Sequence, residues 1–260
     1  MGLLRKLLIG KVSPNQKPKF NPIERRILNI RAIWNNDHQF DNGIEKIVRL
    51  FLSSSQLLFP GVYIKYASNK IGHEYQDIAL DLYVLAKVLF PLVILTNHWQ
   101  YNHFILYTMI YLLLETVLYI PTLIFASDLF TRPRSYKRSM LMLFFNYLEI
   151  IFSFAVLYTH GNNMNKPFRH WFDAIYFSIV SSNSIGFGDY YPISLFGKVL
   201  VSIQAMFFLS FVLLFLNFFS TKLKSKGYFE YQNQPNLVST RMFTALSIPL
   251  QEEFFVKMLA

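Results

Sequence analysis

Residues 171–192 read WFDAIYFSIVSSNSIGFGDYYP. The apolar run 168–180 that leads into this stretch is too short to cross a bilayer, whose core of about 30 Å takes roughly 20 helical residues. A helix starting here enters the outer half of a membrane, stops at Asn183, and must be followed by backbone that returns outward. Non-helical backbone survives at that depth only where protein buries it or where it lines a water-filled path. Ser184-Ile185-Gly186-Phe187-Gly188 suits such a path. Glycines at alternate positions reach left-handed conformations that side chains resist, so successive carbonyls can point to one side. Four such strands around an axis would stack rings of oxygens able to replace the hydration shell of a monovalent cation, with the Ser184 hydroxyl adding one ring at the inner end.

The surrounding chain is built for lipid. Of its 260 residues, 53% are hydrophobic, 18% aromatic and only 15% charged, well off the soluble average. Four stretches approach spanning length, at 77–96, 104–126, 139–159 and 195–219. The net charge of +10 falls in blocks between them rather than in one patch, which argues for membrane orientation and against a nucleic-acid partner. Lys and Arg number twelve in residues 1–75, none in 97–103, and four in the next connection (Arg132, Arg134, Lys137, Arg138); Lys222, Lys224 and Lys226 open the tail. The outward segment 159–194 carries Lys166 and Arg169 alone. Both termini are therefore expected in the cytoplasm.

Residues 1–75 read as a cytoplasmic or interfacial region too charged to insert. No small-residue cleavage site follows Leu7-Leu8, and Lys6 stands where a myristoylation signal wants Ser or Thr. Leu3, Leu4, Leu7 and Leu8 with Arg5 and Lys6 form either a short amphipathic helix on the inner leaflet or a frayed end. Ile44, Ile47, Val48 and Phe51 have helical spacing, interrupted by Ser53-Ser54-Ser55, and predict an interfacial helix under the bundle. The roughly 33 residues after Gly227 are too few for a nucleotide or calcium sensor domain.

At Ser184-Ile185-Gly186-Phe187-Gly188-Asp189 the chain resembles the filter of the pore-loop, two-helix-pore potassium channels, where Thr-Val-Gly-Tyr-Gly-Asp is usual. Serine keeps the hydroxyl, isoleucine the β-branch and phenylalanine the ring, though not the phenol hydroxyl. The resemblance runs through Pro192 and Gly197-Lys198 over about 139–219. It implies an outer helix, a pore helix ending at Ser181, Ser182 and Asn183, a filter and an inner helix, one quarter of a pore per chain, hence a homotetramer. K⁺ is then the permeant ion at Ser184–Gly188, with no other metal and no organic cofactor, and membrane lipid is the surrounding partner. Two departures accompany it. Val180 stands where some members place an acidic residue behind the filter near Asp189, and Phe208 falls where many keep a hinge glycine. Counted the same way, Leu209, Val212 and Leu216 would line the cavity and Asn217 and Ser220 its cytoplasmic mouth; alternatively these side chains pack helices.

Lys87, Glu115 and Glu149 sit near the middle of the first three spans, where an unpaired charge costs at least about 3 kcal/mol. Lys87 is therefore expected to pair with Glu115, and with Glu149 as a further partner. Asp77 and Asp81 lie nearer the inner surface, open to water or to basic loop residues. No span repeats Arg or Lys at every third position, which excludes an S4-type voltage sensor. The histidines at 98, 103, 160 and 170 lack the cysteines or clustered carboxylates of a metal site, although His170 could confer external pH sensitivity. No nucleophile with a base, no phosphate loop and no enzyme constellation is present.

The sequence thus predicts an all-α membrane protein with four transmembrane helices, one re-entrant pore helix and a filter. Its expected regions are 1–75 at the amino terminus, 76–130 with two added helices, 131–220 as pore domain and 221–260 as cytoplasmic tail. The expected function is a plasma-membrane, potassium-selective channel; a weakly selective monovalent cation channel and a non-conducting accessory subunit are the alternatives. A cytoplasmic regulator is an open expectation.

Overall fold

The computed structural model describes residues 21–36, 43–72, 75–125 and 136–223, except the side chains of 136 and 217–223. Expectations for the amphipathic segment at 3–8, for Arg132 and Arg134, for the side chains of Asn217 and Ser220, and for the tail lie outside the described residues. The described chain is helical: α1 (Pro22–Asn35), α2 (Gly43–Ser55), α3 (Pro60–Ile71), α4 (Gln76–Thr96), α5 (His103–Phe125), α6 (Tyr136–Thr159), α7 (Trp171–Ser182) and α8 (Leu195–Leu223).

Four of these, α4, α5, α6 and α8, are long and apolar enough to cross a membrane. They fall on the four expected stretches because apolar length decides both. α6 begins three residues early at Tyr136, since Arg138 is drawn into the helix by two carboxylates of α4. Its Nη1 lies 2.9 Å from Asp77 Oδ1 and its Nη2 2.6 Å from Asp81 Oδ1. α8 runs on to Leu223 because neither glycine nor proline occurs between 198 and 226 to stop it.

α1 opens on Pro22, with the Asn21 amide donating to Glu24 Oε2 at 3.2 Å, and closes on Asn36 in the left-handed region (φ 58). Buried Ile33 packs on Leu50 of α2. The three serines do not interrupt α2 as expected. Ser55 folds its hydroxyl back onto the Leu52 carbonyl (2.9 Å), a 3-10 turn continues over Gln56–Leu58, and the break falls at Pro60, whose ring and missing N–H end the run. Across that break the axes turn by 57°, and the bent pair Gly43–Leu58 with Pro60–Ile71 passes the same test of length and apolarity as a single span. The elbow packs against the middle of α5: Tyr111 donates to the Leu58 carbonyl at 2.6 Å, and the Gly61 amide donates to Glu115 Oε1 at 3.1 Å.

α6 is the hub. Half of its apolar window is buried (50%), against 22–28% for the other three long helices. One core cluster joins α5, α6, α7 and α8 through Leu113, Ile150, Phe154, Tyr158, Phe177 and Phe211. A second joins the outer parts of α4 and α5 to α6 and α7 through Ile94, Met109, Val156 and Ile175.

A Cβ at Gly61 would stand 2.6 Å from Glu115 Oε1, and that oxygen is not free to retreat because Tyr83 and Lys87 hold the other end of the carboxylate. Gly61→Ala is therefore expected to break the amide–carboxylate bond and destabilise the fold by about 1–3 kcal/mol, read as a lower thermal midpoint of the detergent-purified protein.

Candidate functional site

The site is built on α7. His170 caps the helix, its Nδ1 accepting the Phe172 amide at 3.2 Å. Asp173 Oδ2 accepts the amides of Arg169 and His170, each at 3.0 Å, and the Tyr190 hydroxyl at 3.1 Å. These donors, the His170 amide foremost, hold the Asp173 carboxyl below its ordinary range. The Tyr190 ring packs on Phe168 at 4.9 Å and carries Lys166 Nζ 4.5 Å from its centroid. One carboxylate at the head of α7 thus ties down the chain that follows 184–188.

At its carboxyl end α7 unwinds in steps. The amides of Asn183, Ser184 and Ile185 donate to the carbonyls of Ile179 (3.0 Å), Ser181 (3.2 Å) and Val180 (3.0 Å). Then the backbone alternates. Ser184 (φ 57), Gly186 (φ 57) and Gly188 (φ 82) are left-handed, and Ile185 and Phe187 between them are not. Gly186 and Gly188 meet no atom within 4 Å of a notional Cβ, so conformation rather than space calls for glycine there. Ser184 takes the same conformation with a side chain, at a cost on the order of 1–2 kcal/mol. That strain is not legible in the residue type, since every other described serine has a negative φ. The whole segment is exposed, Ile185 at 52% and Phe187 at 68%.

The supports expected behind this segment act in different ways. Val180 contributes its carbonyl to Ile185 and no side-chain bond. Phe187, without a phenol, lies parallel to the Tyr176 ring at 6.5 Å and 2°. The Tyr147 hydroxyl of α6 donates to Asn183 Oδ1 (3.1 Å) and lies 3.2 Å from Ser182 Oγ, which itself reaches the Ile179 carbonyl at 3.0 Å. Asp189 is exposed, and its carbonyl takes the Asn165 amide group at 3.4 Å. Segment 163–165 then clamps the outgoing chain: Asn165 N–H bonds Tyr191 O (3.0 Å), Ile193 N–H bonds Asn163 O (2.9 Å), and Ser194 Oγ bonds Asn163 Oδ1 (2.6 Å). Gly197 fits because a Cβ would come within 3.0 Å of both Asn163 O and Pro192.

On α8, Leu209 (59%) and Leu216 (60%) share an exposed stripe with Met206 (71%) and Leu213 (55%), two residues that counting from Pro192 did not select. Val212 is half-buried at its edge, and Phe208 turns inward onto Tyr147, ring centroids 6.2 Å apart. Three further residues escaped the sequence reading: Gln204, Ser178 and Tyr158, all fully buried, with Gln204 hydrogen-bonded to the other two. Gln204 was available as a signal, being the sole carboxamide between 198 and 216.

The intramembrane charges meet in one cluster. Lys87 Nζ is 3.4 Å from Glu115 Oε2 and 3.3 Å from Glu149 Oε2, and donates to Thr116 Oγ1 at 2.5 Å. Thr116 donates on to Glu149 at 2.8 Å, and Tyr83 bonds Glu115. Among the described residues no group of three or more His, Asp or Glu side chains could hold a metal ion.

Residues 140–225, from α6 through α8, match the model of an ion-channel family with a two-helix pore. No solved structure matches the chain. The match is to a channel family rather than an enzyme family, and with the four apolar helices it supports a multi-pass membrane protein with oligomeric assembly.

Two outcomes follow from these contacts. Lys87→Met leaves two buried carboxylates without a counter-ion and is expected to cost about 3–5 kcal/mol; adding Glu149→Gln should recover part of the lost thermal midpoint in detergent. The lowered Asp173 value gives a stabilising contribution that is complete above the ordinary aspartate range and lost as pH falls through the folded value. Tyr190 mobility, read by hydrogen exchange of residues 189–193, should be flat near neutral pH and rise only in strong acid, whereas in Asp173→Asn it should be raised already near neutral pH and converge with the wild type in strong acid.

Proposed function

We propose that the chain is one subunit of a homotetrameric channel that passes K⁺ down its electrochemical gradient. The observation that carries this reading is the alternation of left-handed backbone at Ser184, Gly186 and Gly188 with the intervening Ile185 and Phe187. Alternating hand brings successive carbonyls to one side of a strand, and an exposed strand of this kind is one quarter of a ring-lined path. α7 serves as pore helix, its carboxyl-terminal dipole end at Ser181–Asn183 turned toward a cavity cation. α6 and α8 are the outer and inner helices of a pore domain at 131–220.

The exposed stripe of Met206, Leu209, Leu213 and Leu216 supplies the cavity wall, and a wall this apolar can close by dewetting. Helices α4 and α5 flank the pore through the Lys87 cluster. With α5 spanning the plasma membrane, the Leu58–Gly61 elbow reaches mid-bilayer depth, deeper than the surface placement that charge alone suggests for 1–75. Both termini face the cytoplasm, with 221–260 as the tail.

A second reading has a specific observation behind it. Val180 offers no carboxylate and Phe187 no hydroxyl, so two side-chain ties behind the filter are missing, which favours a weaker preference for potassium over sodium. Reversal potential under bi-ionic K⁺/Na⁺ conditions separates the two. Purified protein in planar bilayers is expected to give a strongly potassium-biased potential that Gly186→Ser abolishes. A potential near zero selects the weakly selective pore, and silence from protein shown by cross-linking to be tetrameric removes the channel reading.

A further inference from the structure

Among the described residues, Gln204 is the one side chain of α8 that hydrogen-bonds to other helices. Its carboxamide is bonded at both ends. Oε1 accepts the Tyr158 hydroxyl of α6 at 2.7 Å, while Nε2 donates to the Ser178 carbonyl at 3.1 Å and to Ser178 Oγ at 2.7 Å. Ser178 Oγ passes its own proton to the Ile151 carbonyl of α6 at 2.6 Å. Gln204, Tyr158 and Ser178 are all within 1% of complete burial, so no water competes for these bonds. The chain leaves α6, crosses α8 and α7 and returns to α6, and each donor in it has one direction.

The rest of the α8 contact is of another kind. Its backbone stays apart from those of α6 and α7, and long apolar side chains such as Leu200, Phe211 and Leu214 fill the gap. Apolar contact is non-directional and tolerates sliding, whereas a hydrogen bond weakens steeply with angle and distance. With neither glycine nor proline from 199 to 226, α8 lacks the usual bend points and would carry a displacement along its length as a rod. Any axial displacement or rotation of that rod therefore loads the Gln204–Ser178 bonds before it disturbs the apolar packing. Ser178 sits in the middle of α7, within two residues of Val180, whose carbonyl holds the Ile185 amide.

Resting on the channel reading, the geometry points to Gln204 as the positioning residue that transmits movement of α8 through Ser178 to the filter strand 184–188. A stiff inner helix then bears on opening at the filter in addition to closure at the apolar cavity wall. The alternative relay, Phe208 on Tyr147, is an apolar ring contact and lacks direction.

The test uses the full-length protein in bilayers at single-channel resolution with Gln204→Leu, Ser178→Ala and the double variant. Each single variant is expected to keep conductance and bi-ionic reversal potential while changing mean open time about tenfold, the scale of one buried neutral hydrogen bond. The double variant should change it by clearly less than the two single effects combined, since both remove the Nε2–Oγ bond. Additive effects, unchanged open times, or a shifted reversal potential in Ser178→Ala would overturn the assignment. A second readout needs no current. Hydrogen exchange of amides 179–185 in purified protein should rise in Gln204→Leu while that of α4 stays unchanged, and equal exchange in the two proteins sinks the coupling. If the wild type carries no current, the channel reading fails by itself and exchange decides the link. Ser178→Ala, which removes a single hydroxyl, stands in should Gln204→Leu assemble poorly.

Discussion

One ammonium in a low-dielectric interior organises the amino-terminal half of this molecule. Lys87 lies in an apolar helix, and its desolvation must be offset by groups brought from elsewhere in the chain. Those groups come from α5 and α6, and Glu115 in turn gathers the Gly61 amide of α3 and the Tyr83 hydroxyl. Four helices are thereby fixed at a common depth by directional bonds, which apolar side chains in lipid cannot do because lipid is as apolar as they are. Pro91 adds to this by withholding a helical donor from the Lys87 carbonyl one turn earlier, loosening α4 beside the cluster. Since α6 is also the helix on which α7 and α8 rest, whatever fixes α6 fixes the frame of the carbonyl strand.

The carboxyl-terminal half uses polar bonds more sparingly. A buried network is stabilising only when complete, and the Tyr158–Gln204–Ser178–Ile151 chain has a partner at every step. It selects one register between α7 and α8 where apolar packing alone would permit several. Around the strand itself the supports are distributed: Asp173 and Tyr190 on the outer side, Tyr147 with Ser182 and Asn183 on the inner side, Asn163 and Asn165 along the exit. No single tie behind the strand is large, which is consistent with Val180 standing where a carboxylate would have concentrated it.

The features legible in the sequence are those set by solvent cost. Span positions follow from apolar length, and the partners of Lys87, like those of Asp77 and Asp81, follow from the expense of unpaired charge near the membrane. Glycines at 186 and 188 announce their left-handed backbone because few other residues take it readily. What stayed hidden depends on tertiary context. The α2–α3 elbow was obscured because Arg49 and Lys65 raise local charge while Arg49 is in fact buried at 3%. Ser53 to Ser55 read as an interruption, yet a hydroxyl can bond its own helix, and only Pro60 forces the turn. The inward turn of Phe208 and the outward one of Met206 and Leu213 could not be counted from Pro192, since helix rotation is set by Gln204 and Phe211 locking into their neighbours.

Exposure of the strand 184–188 has an energetic consequence for assembly. An apolar helix face turned to lipid costs nothing, so the bare stripe on α8 is tolerable in a lone subunit. Backbone carbonyls and amides at membrane depth are not tolerable without partners, each costing several kcal/mol in hydrocarbon. The left-handed Ser184 adds strain that the chain alone has no reason to keep. On the proposed channel reading the first penalty is lifted when equivalent strands face one another around water or ions, and the second is offset there. Folding of the strand and association of subunits are therefore, on that reading, one coupled step.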